Sequence, residues 1–250
     1  MSPNSQSQGG GDVALDAEVR RVDEDRWLAS RFAPAPVRAG LIALYAVNHE
    51  IARTADVVRE PGLGHIRLQW WRDALGDPAR ANEHPALGAL KAAGVWDACA
   101  PLLQGAAAAR VKDFEAAPFP KWTDADAYLD ATAGAVLGAA LEVCGAGAHA
   151  AIASPGGRAW GFAGILRAAP YWRAKGRAPT PGGGGDDKGL RDRALAALER
   201  ARALALGAPQ AAFPAFAYLA LVRPYLDHAT PPMLFRRQLR LIWAIARGRI

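Results

Sequence analysis

The sequence predicts an all-α fold, and three observations carry that prediction. Apolar residues recur at three- and four-residue spacing along most of the chain. No alternating run of Val, Ile, Thr and aromatic residues reads as a strand. Pro and Gly cluster at intervals that cut the periodic stretches into helix-length pieces. With 250 residues, 51% hydrophobic and 22% charged, the chain can bury a sizeable core and is not disordered. No linker separates two composition types. The expected organisation is a disordered polar tail at residues 1–11 followed by one domain over 12–250.

The first helix is expected from about Val13 to Ser30, ended by Pro34 and Pro36. Pro36 then falls near the first turn of a second helix, where proline is tolerated. That helix carries Leu41, Leu44, Tyr45, Val47 and Ile51 and is read as running to Glu60, with Pro61-Gly62 as its stop. A short amphipathic helix follows, with Ile66, Leu68, Trp70, Trp71 and Leu75, closed by Gly76-Asp77-Pro78. Trp70 and Trp71 point about 100° apart on a helix, so at least one belongs to the core.

Two Ala/Leu-rich helices are expected near 85–93 and 101–116, then a long one from Asp124 to Cys144 with Thr123 as its cap. Gly145 to Gly157, ending in Ser154-Pro155-Gly156-Gly157, reads as a loop. A helix over 158–175 follows, then a loop with four glycines at 182–185. No strand precedes those glycines and no G-K-S/T follows them, so they are not a phosphate-binding P-loop. Helices near 188–206, 210–228 and 231–247 complete the chain.

Composition narrows the function. No uncharged apolar run is long enough for a membrane span. The first residues lack the basic start and apolar stretch of a signal peptide, so a cytoplasmic location is expected, with contact to a membrane surface. Two cysteines and five histidines show no metal-type spacing. The net charge is +6, and arginine supplies 25 of the 30 basic residues, which suits phosphate or carboxylate recognition. No nucleic-acid motif appears, and the aromatics are not interleaved with a basic patch, so no nucleic-acid partner is expected.

Four features bear on chemistry. Asp56 and Glu60, four apart on the expected helix, would share a face and could hold Mg²⁺, although such pairs are more often solvated surface. Arg53 precedes Asp56 by one turn, and His49 in the same helix carries no assigned role. Tyr128 to Val136 is rich in small residues, read first as tight helix packing and second as room for a long apolar ligand. Arg236-Arg237-Gln238-Leu239-Arg240-Leu241-Ile242-Trp243 forms a basic amphipathic helix. It is read first as the closing helix of a bundle and second as a contact to anionic lipid heads.

Taken in order, five segments resemble the squalene/phytoene synthase family over about residues 23–249. They are 41–53 (LIALYAVNHEIAR), 60–72 (EPGLGHIRLQWWR), 128–134 (YLDATAG), 160–167 (WGFAGILR) and 175–177 (KGR). The resemblance implies the isoprenoid synthase fold, an all-α helix bundle around a central cavity. In the family's working members two aspartate-rich motifs on facing helices hold Mg²⁺ and prenyl diphosphates. Metal ions pull on the leaving diphosphate while an apolar cavity shelters the carbocation.

Onto this sequence the first motif carries over as Asp56-Val-Val-Arg-Glu60, which would bind Mg²⁺. The second falls on Gly164-Ile-Leu-Arg167-Ala168-Ala-Pro-Tyr-Trp172, where Gly164 replaces the family's Asn and Ala168 and Trp172 replace its two aspartates. Pro170 within that helix is expected to kink it. Arg53, Arg167, Lys175 and Arg177 remain as candidate phosphate-binding cations. The kept RLQWWR segment and the missing second motif together resemble the subfamily related to a mitochondrial complex I assembly factor. That resemblance implies a non-catalytic or altered helper in respiratory complex assembly, peripheral on the inner membrane. The alternatives are an active Mg²⁺-dependent head-to-head prenyl-diphosphate transferase and, third, a protein that binds a prenyl lipid without chemistry.

Overall fold

Fourteen α-helices, linked by short 3₁₀ and π turns, make up the regular structure of the described residues. The computed structural model describes residues 4–182, 185–227 and 233–250, with side chains from Val13 onward. Met1–Pro3, two of the four glycines and His228 therefore lie outside it, and most of the expected tail has no described side chains. The elements are α1 (Asn4–Val22), α2 (Glu24–Ser30), α3 (Ala35–Ala52), α4 (Thr54–Val57), α5 (Pro61–Gly76), α6 (Pro85–Ala92), α7 (Trp96–Ala109), α8 (Trp122–Leu129), α9 (Ala135–Val143), α10 (Ala153–Ala174), α11 (Asp187–Ala205), α12 (Phe213–Phe216), α13 (Val222–Asp227) and α14 (Leu234–Arg247).

α3 and α9 lie at the centre. α3 buries Leu41, Leu44, Tyr45, Val47 and Ile51, and α9 buries Val136, Leu137, Ala140 and Leu141. Each large apolar side chain so buried contributes about 1.5–3 kcal/mol. Around them α5 packs on α7, α7 on α9, α10 on α11, and α1 and α6 on α3. Trp71 is fully buried and Trp70 half-buried, their rings edge-to-face with centroids 5.0 Å apart.

The elements depart from expectation where local chemistry breaks a long helix. The first divides at Asp23, which leaves the helical region (φ −143°, ψ 59°) and accepts a hydrogen bond from Arg26 Nη1 at 2.9 Å. The second ends at Ala52 rather than Glu60. A single turn, α4, follows; then Val58 is extended and Glu60 is held outside the helical region by the proline after it. Pro61 thus opens α5 instead of only closing the helix before it, because the missing N–H costs nothing at a first helical position.

The expected helix 124–144 starts at Trp122, with Lys121 rather than Thr123 in the cap position, and is interrupted by a π turn, Asp130–Gly134. Gly145, at φ 67°, does end α9, but Ser154-Pro155-Gly156-Gly157 is no loop; it forms the first turns of α10. α10 also runs unbroken through the exposed Pro170 to Ala174. The expected helix 210–228 is instead a run of short turns and the brief α12 and α13, nearly all of it buried.

Candidate functional site

The π turn sets how closely α8 and α9 approach α10. An α-carbon substituent on Gly157 of α10 would lie 2.3 Å from the Gly134 nitrogen, so the two backbones touch at a pair of glycines. Tyr128 of α8 and Ile165 and Trp172 of α10 line a cavity of about 300 Å³. Its other walls are Ala52, Ala55 and Asp56 after α3, and the stretch from Arg110 to Phe119. The chain after α10 closes it with Arg177, Ala178 and Pro179, the Ala178 N–H donating to the Ala116 carbonyl at 2.9 Å.

One side of the cavity is apolar and aromatic. The Phe119 and Tyr128 rings pack at a tilt of 53° with centroids 5.1 Å apart, and Arg177 lies 4.7 Å over the Trp172 ring, a cation–π contact. The other side holds a polar cluster. Arg110 Nη1 donates to Asp113 Oδ2 at 3.0 Å and to the Tyr128 hydroxyl at 3.3 Å, and that hydroxyl donates to Asp113 Oδ1 at 2.5 Å. Burial pushes the Tyr128 hydroxyl pKa above its ordinary value, so it stays a neutral donor. Burial works against the Arg110 charge, but Tyr128 and Asp113 outweigh it and the guanidinium stays protonated. Arg110 Nε is buried with no hydrogen-bond partner. A buried cation beside an apolar wall can take an anionic head with an apolar body.

Asp56 and Arg177 lie on this cavity together. Arg53 adjoins it but pairs with Glu50 at 3.2 Å. Arg167 is exposed, its guanidinium 4.2 Å over Tyr225. Lys175 is exposed too, 4.3 Å over the Tyr171 ring and donating to its hydroxyl. Glu60 is exposed ahead of α5 and does not line the cavity. Arg110 and Asp113 carry no signal in the sequence, since an i,i+3 ion pair is commonplace on helices.

The premise for an Asp56–Glu60 metal clamp, one continuous helix, is absent because Val58 is extended between them. Among the described residues the one three-ligand grouping is Glu18, His49 and Glu50, elsewhere in the bundle. There Glu50 is already paired with Arg53 and with Arg67 at 3.3 Å. On the cavity itself Asp56 is accompanied by Asp113, already bonded to Arg110 and Tyr128, by Glu115, and by the cations Arg110, Lys112 and Arg177. With Glu60 off the cavity and three cations beside Asp56, these residues do not fit a divalent-cation site built on the first motif. Both cysteines are buried, their thiol pKa values pushed up to about 12 by desolvation, and neither is poised as a nucleophile.

The model of the family described as squalene/phytoene synthase matches residues 19–249. A Mus musculus protein named NADH dehydrogenase (ubiquinone) complex I, assembly factor 6 is 28% identical over 236 residues, covering 83% of this chain and 70% of its own. Its Homo sapiens counterpart is 29% identical over 160 residues, covering 61% and 47%. Among solved structures, a dehydrosqualene synthase in complex with ligand superposes with a TM-score of 0.72 at 16% identity, over 97% of both chains. Squalene synthase HpnC from Alicyclobacillus acidocaldarius does so with 0.67 at 17% identity, over 97% of this chain and 95% of that one. These likenesses establish the isoprenoid synthase helical fold. With the family match covering nearly the whole chain, the protein belongs to the squalene/phytoene synthase family.

Proposed function

We propose that this protein is a catalytically altered member of its family that helps assemble respiratory complex I and uses its cavity to bind one prenyl-type lipid. The carrying observation is Trp172. A metal-binding aspartate is what the resemblance leads one to expect at that position; here an indole lines the cavity with Ile165, under the Arg177 guanidinium. An apolar wall stands where a second carboxylate cluster would hold metal ions against a leaving diphosphate. Losing such a cluster removes several kcal/mol of transition-state stabilisation, or roughly 10³-fold or more in rate.

Cavity size supports the same reading. About 300 Å³ lies at the small end of ligand pockets, roughly 300–1,000 Å³, and suits one chain rather than two side by side. Arg110 and Arg177 supply charge for an anionic head, and Phe119, Ile165 and Trp172 supply the apolar wall. The assembly role is carried over from the mammalian assembly factors, which match over most of this chain. With that role we propose a cytoplasmic location, peripheral on the inner membrane.

The alternative is an active Mg²⁺-dependent prenyl-diphosphate transferase. Asp56 favours it, since it lies on the cavity with no ion pair among the described residues. The test is turnover by purified protein with farnesyl and geranylgeranyl diphosphates, with and without Mg²⁺ and NADPH, following diphosphate release. No turnover is expected, together with a Mg²⁺-independent rise in Tm on adding a prenyl diphosphate. Turnover that disappears in Asp56→Ala establishes the transferase and ends the altered-helper reading. Loss of complex I activity on deleting the gene, restored by Asp56→Ala, is expected for the assembly role; normal complex I in the deletion strain refutes it.

A further inference from the structure

Helix α14 carries two adjacent stripes that the bundle leaves uncovered. Its inward face is set by Leu241, Ala244 and Ile245, all buried, and by Arg237. Arg237 Nη1 donates to Asp25 Oδ1 at 2.7 Å and its other amino group pairs with Glu24, while the Tyr225 hydroxyl donates to Asp25 from α13. These bonds fix the rotation of α14 about its own axis, and with it which residues face out.

The first outward stripe is Phe235, Leu239, Ile242 and Ala246, spaced four, three and four residues apart and hence aligned on one side of the helix. Phe235 is 66% exposed and Ile242 47%, and Met233, just before the helix, is 75% exposed. The next stripe, one residue on throughout, is Arg236, Arg240, Trp243 and Arg247. Trp243 is 55% exposed, with the Arg247 guanidinium 4.1 Å over its ring. From Met233 to Ile250 there are five arginines and no acidic residue. Only Arg237 of the five forms an ion pair among the described residues.

Charge selects the occupant. A soluble anion would answer the arginines and leave Phe235 and Ile242 in water. A second copy of the chain would set one arginine stripe against another. A sheet of phosphate groups over hydrocarbon answers both stripes together, with the indole at the level where its apolar ring and polar N–H are both satisfied. We propose that α14 lies flat on an anionic phospholipid bilayer, Phe235, Leu239, Ile242 and Trp243 entering the headgroup–acyl boundary and Arg236, Arg240 and Arg247 pairing with lipid phosphates. No described helix is long and apolar enough to cross the membrane, so this contact is interfacial.

The test is sedimentation of the full chain with vesicles of phosphatidylcholine alone and of phosphatidylcholine mixed with phosphatidylglycerol. Two variants accompany it, a triple Arg236→Glu/Arg240→Glu/Arg247→Glu and a double Phe235→Ser/Ile242→Ser. All five side chains are exposed, so circular dichroism is expected to show unchanged folds. The wild type is expected to bind mixed vesicles and barely bind neutral ones, and to lose binding as salt rises. The triple variant is expected to bind at least about a hundredfold more weakly, since each surface arginine contributes roughly fivefold at an anionic surface. The double variant is expected to lose binding as well. Failure to bind mixed vesicles overturns the proposal, as does binding that ignores lipid charge or survives the triple reversal. A concentration-dependent dimer that the double variant dissolves, without vesicle binding, assigns the face to a second copy instead. The outcome is independent of whether the cavity turns over substrate.

Discussion

Replacing Gly157 with alanine tests the close contact between α10 and the π turn. The added methyl would sit 2.3 Å from the Gly134 nitrogen, 2.4 Å from its α-carbon and 2.8 Å from the Ala133 carbonyl carbon. Carbon atoms rest about 3.5–4.0 Å apart, so α10 and the π turn would have to part by more than about 1 Å. All three atoms are backbone, and no rotamer change can relieve the clash. Overpacking of this kind costs about 3 kcal/mol, and the better helix propensity of alanine offsets about 1 kcal/mol. The net loss is about 2 kcal/mol, a fall in Tm of about 4–8 °C for a chain of this size.

Gly164 supplies the internal reference. It lies on the same helix, is exposed, and a methyl there meets nothing within 4 Å. Gly164→Ala therefore keeps only the propensity gain, up to about 1 kcal/mol of stabilisation. Thermal and urea unfolding followed by far-ultraviolet circular dichroism would measure both. Equal stabilities for the two variants, or a Gly157→Ala protein as stable as wild type, would refute the backbone contact between α10 and the π turn.

Further measurements address other parts of the molecule. His84 Nδ1 accepts from the Ala86 N–H at 3.2 Å and caps α6. Burial lowers its pKa from 6.5, opposed by Glu50 and aided by Arg67. As pH falls below about 6.5 the unfolded chain takes up the proton first, so stability is full above that pH and declines below it. Loss of the cap alone is worth about 1 kcal/mol. His84→Asn, which keeps a capping acceptor, is expected to flatten that part of a Tm-versus-pH curve. An unchanged slope would show that the cap does not titrate. Arg237→Met would leave the buried Asp25 carboxylate with Tyr225 alone and cost about 3 kcal/mol at neutral pH. Burial already raises the Asp25 pKa, and loss of the arginine raises it further, so urea unfolding should show the deficit shrinking as pH falls. Tyr128→Phe removes the hydroxyl shared by Arg110 and Asp113 and is expected to cost about 1–2 kcal/mol in the same assay.

Local information was enough for the helical class, for α6 and α11, and for the amphipathic character of α14, because each depends on spacing within one segment. Gly145 is legible for the same reason, its positive φ being a property of one residue. The family motifs were legible too, and two positions they marked, Asp56 and Trp172, do meet at one cavity. Proline was ambiguous. Pro61 both follows the end of one helix and opens the next, and its sequence context does not say how far back the preceding helix stops. Ser154-Pro155-Gly156-Gly157 reads as a loop because nothing nearby reveals that its glycines are there for a backbone lying against them from the π turn. The same holds for the Arg110–Asp113 pair of one 3₁₀ turn and Tyr128 of α8, brought together from two elements, and for the buried run Phe213–Asp227, whose short turns follow the shape of the core around them. Periodicity and composition thus determine which segments are helical and which faces are apolar. Where helices break, how closely they approach and which charges share a cavity are decided by neighbours distant in sequence, because packing and desolvation act between segments that local spacing cannot connect.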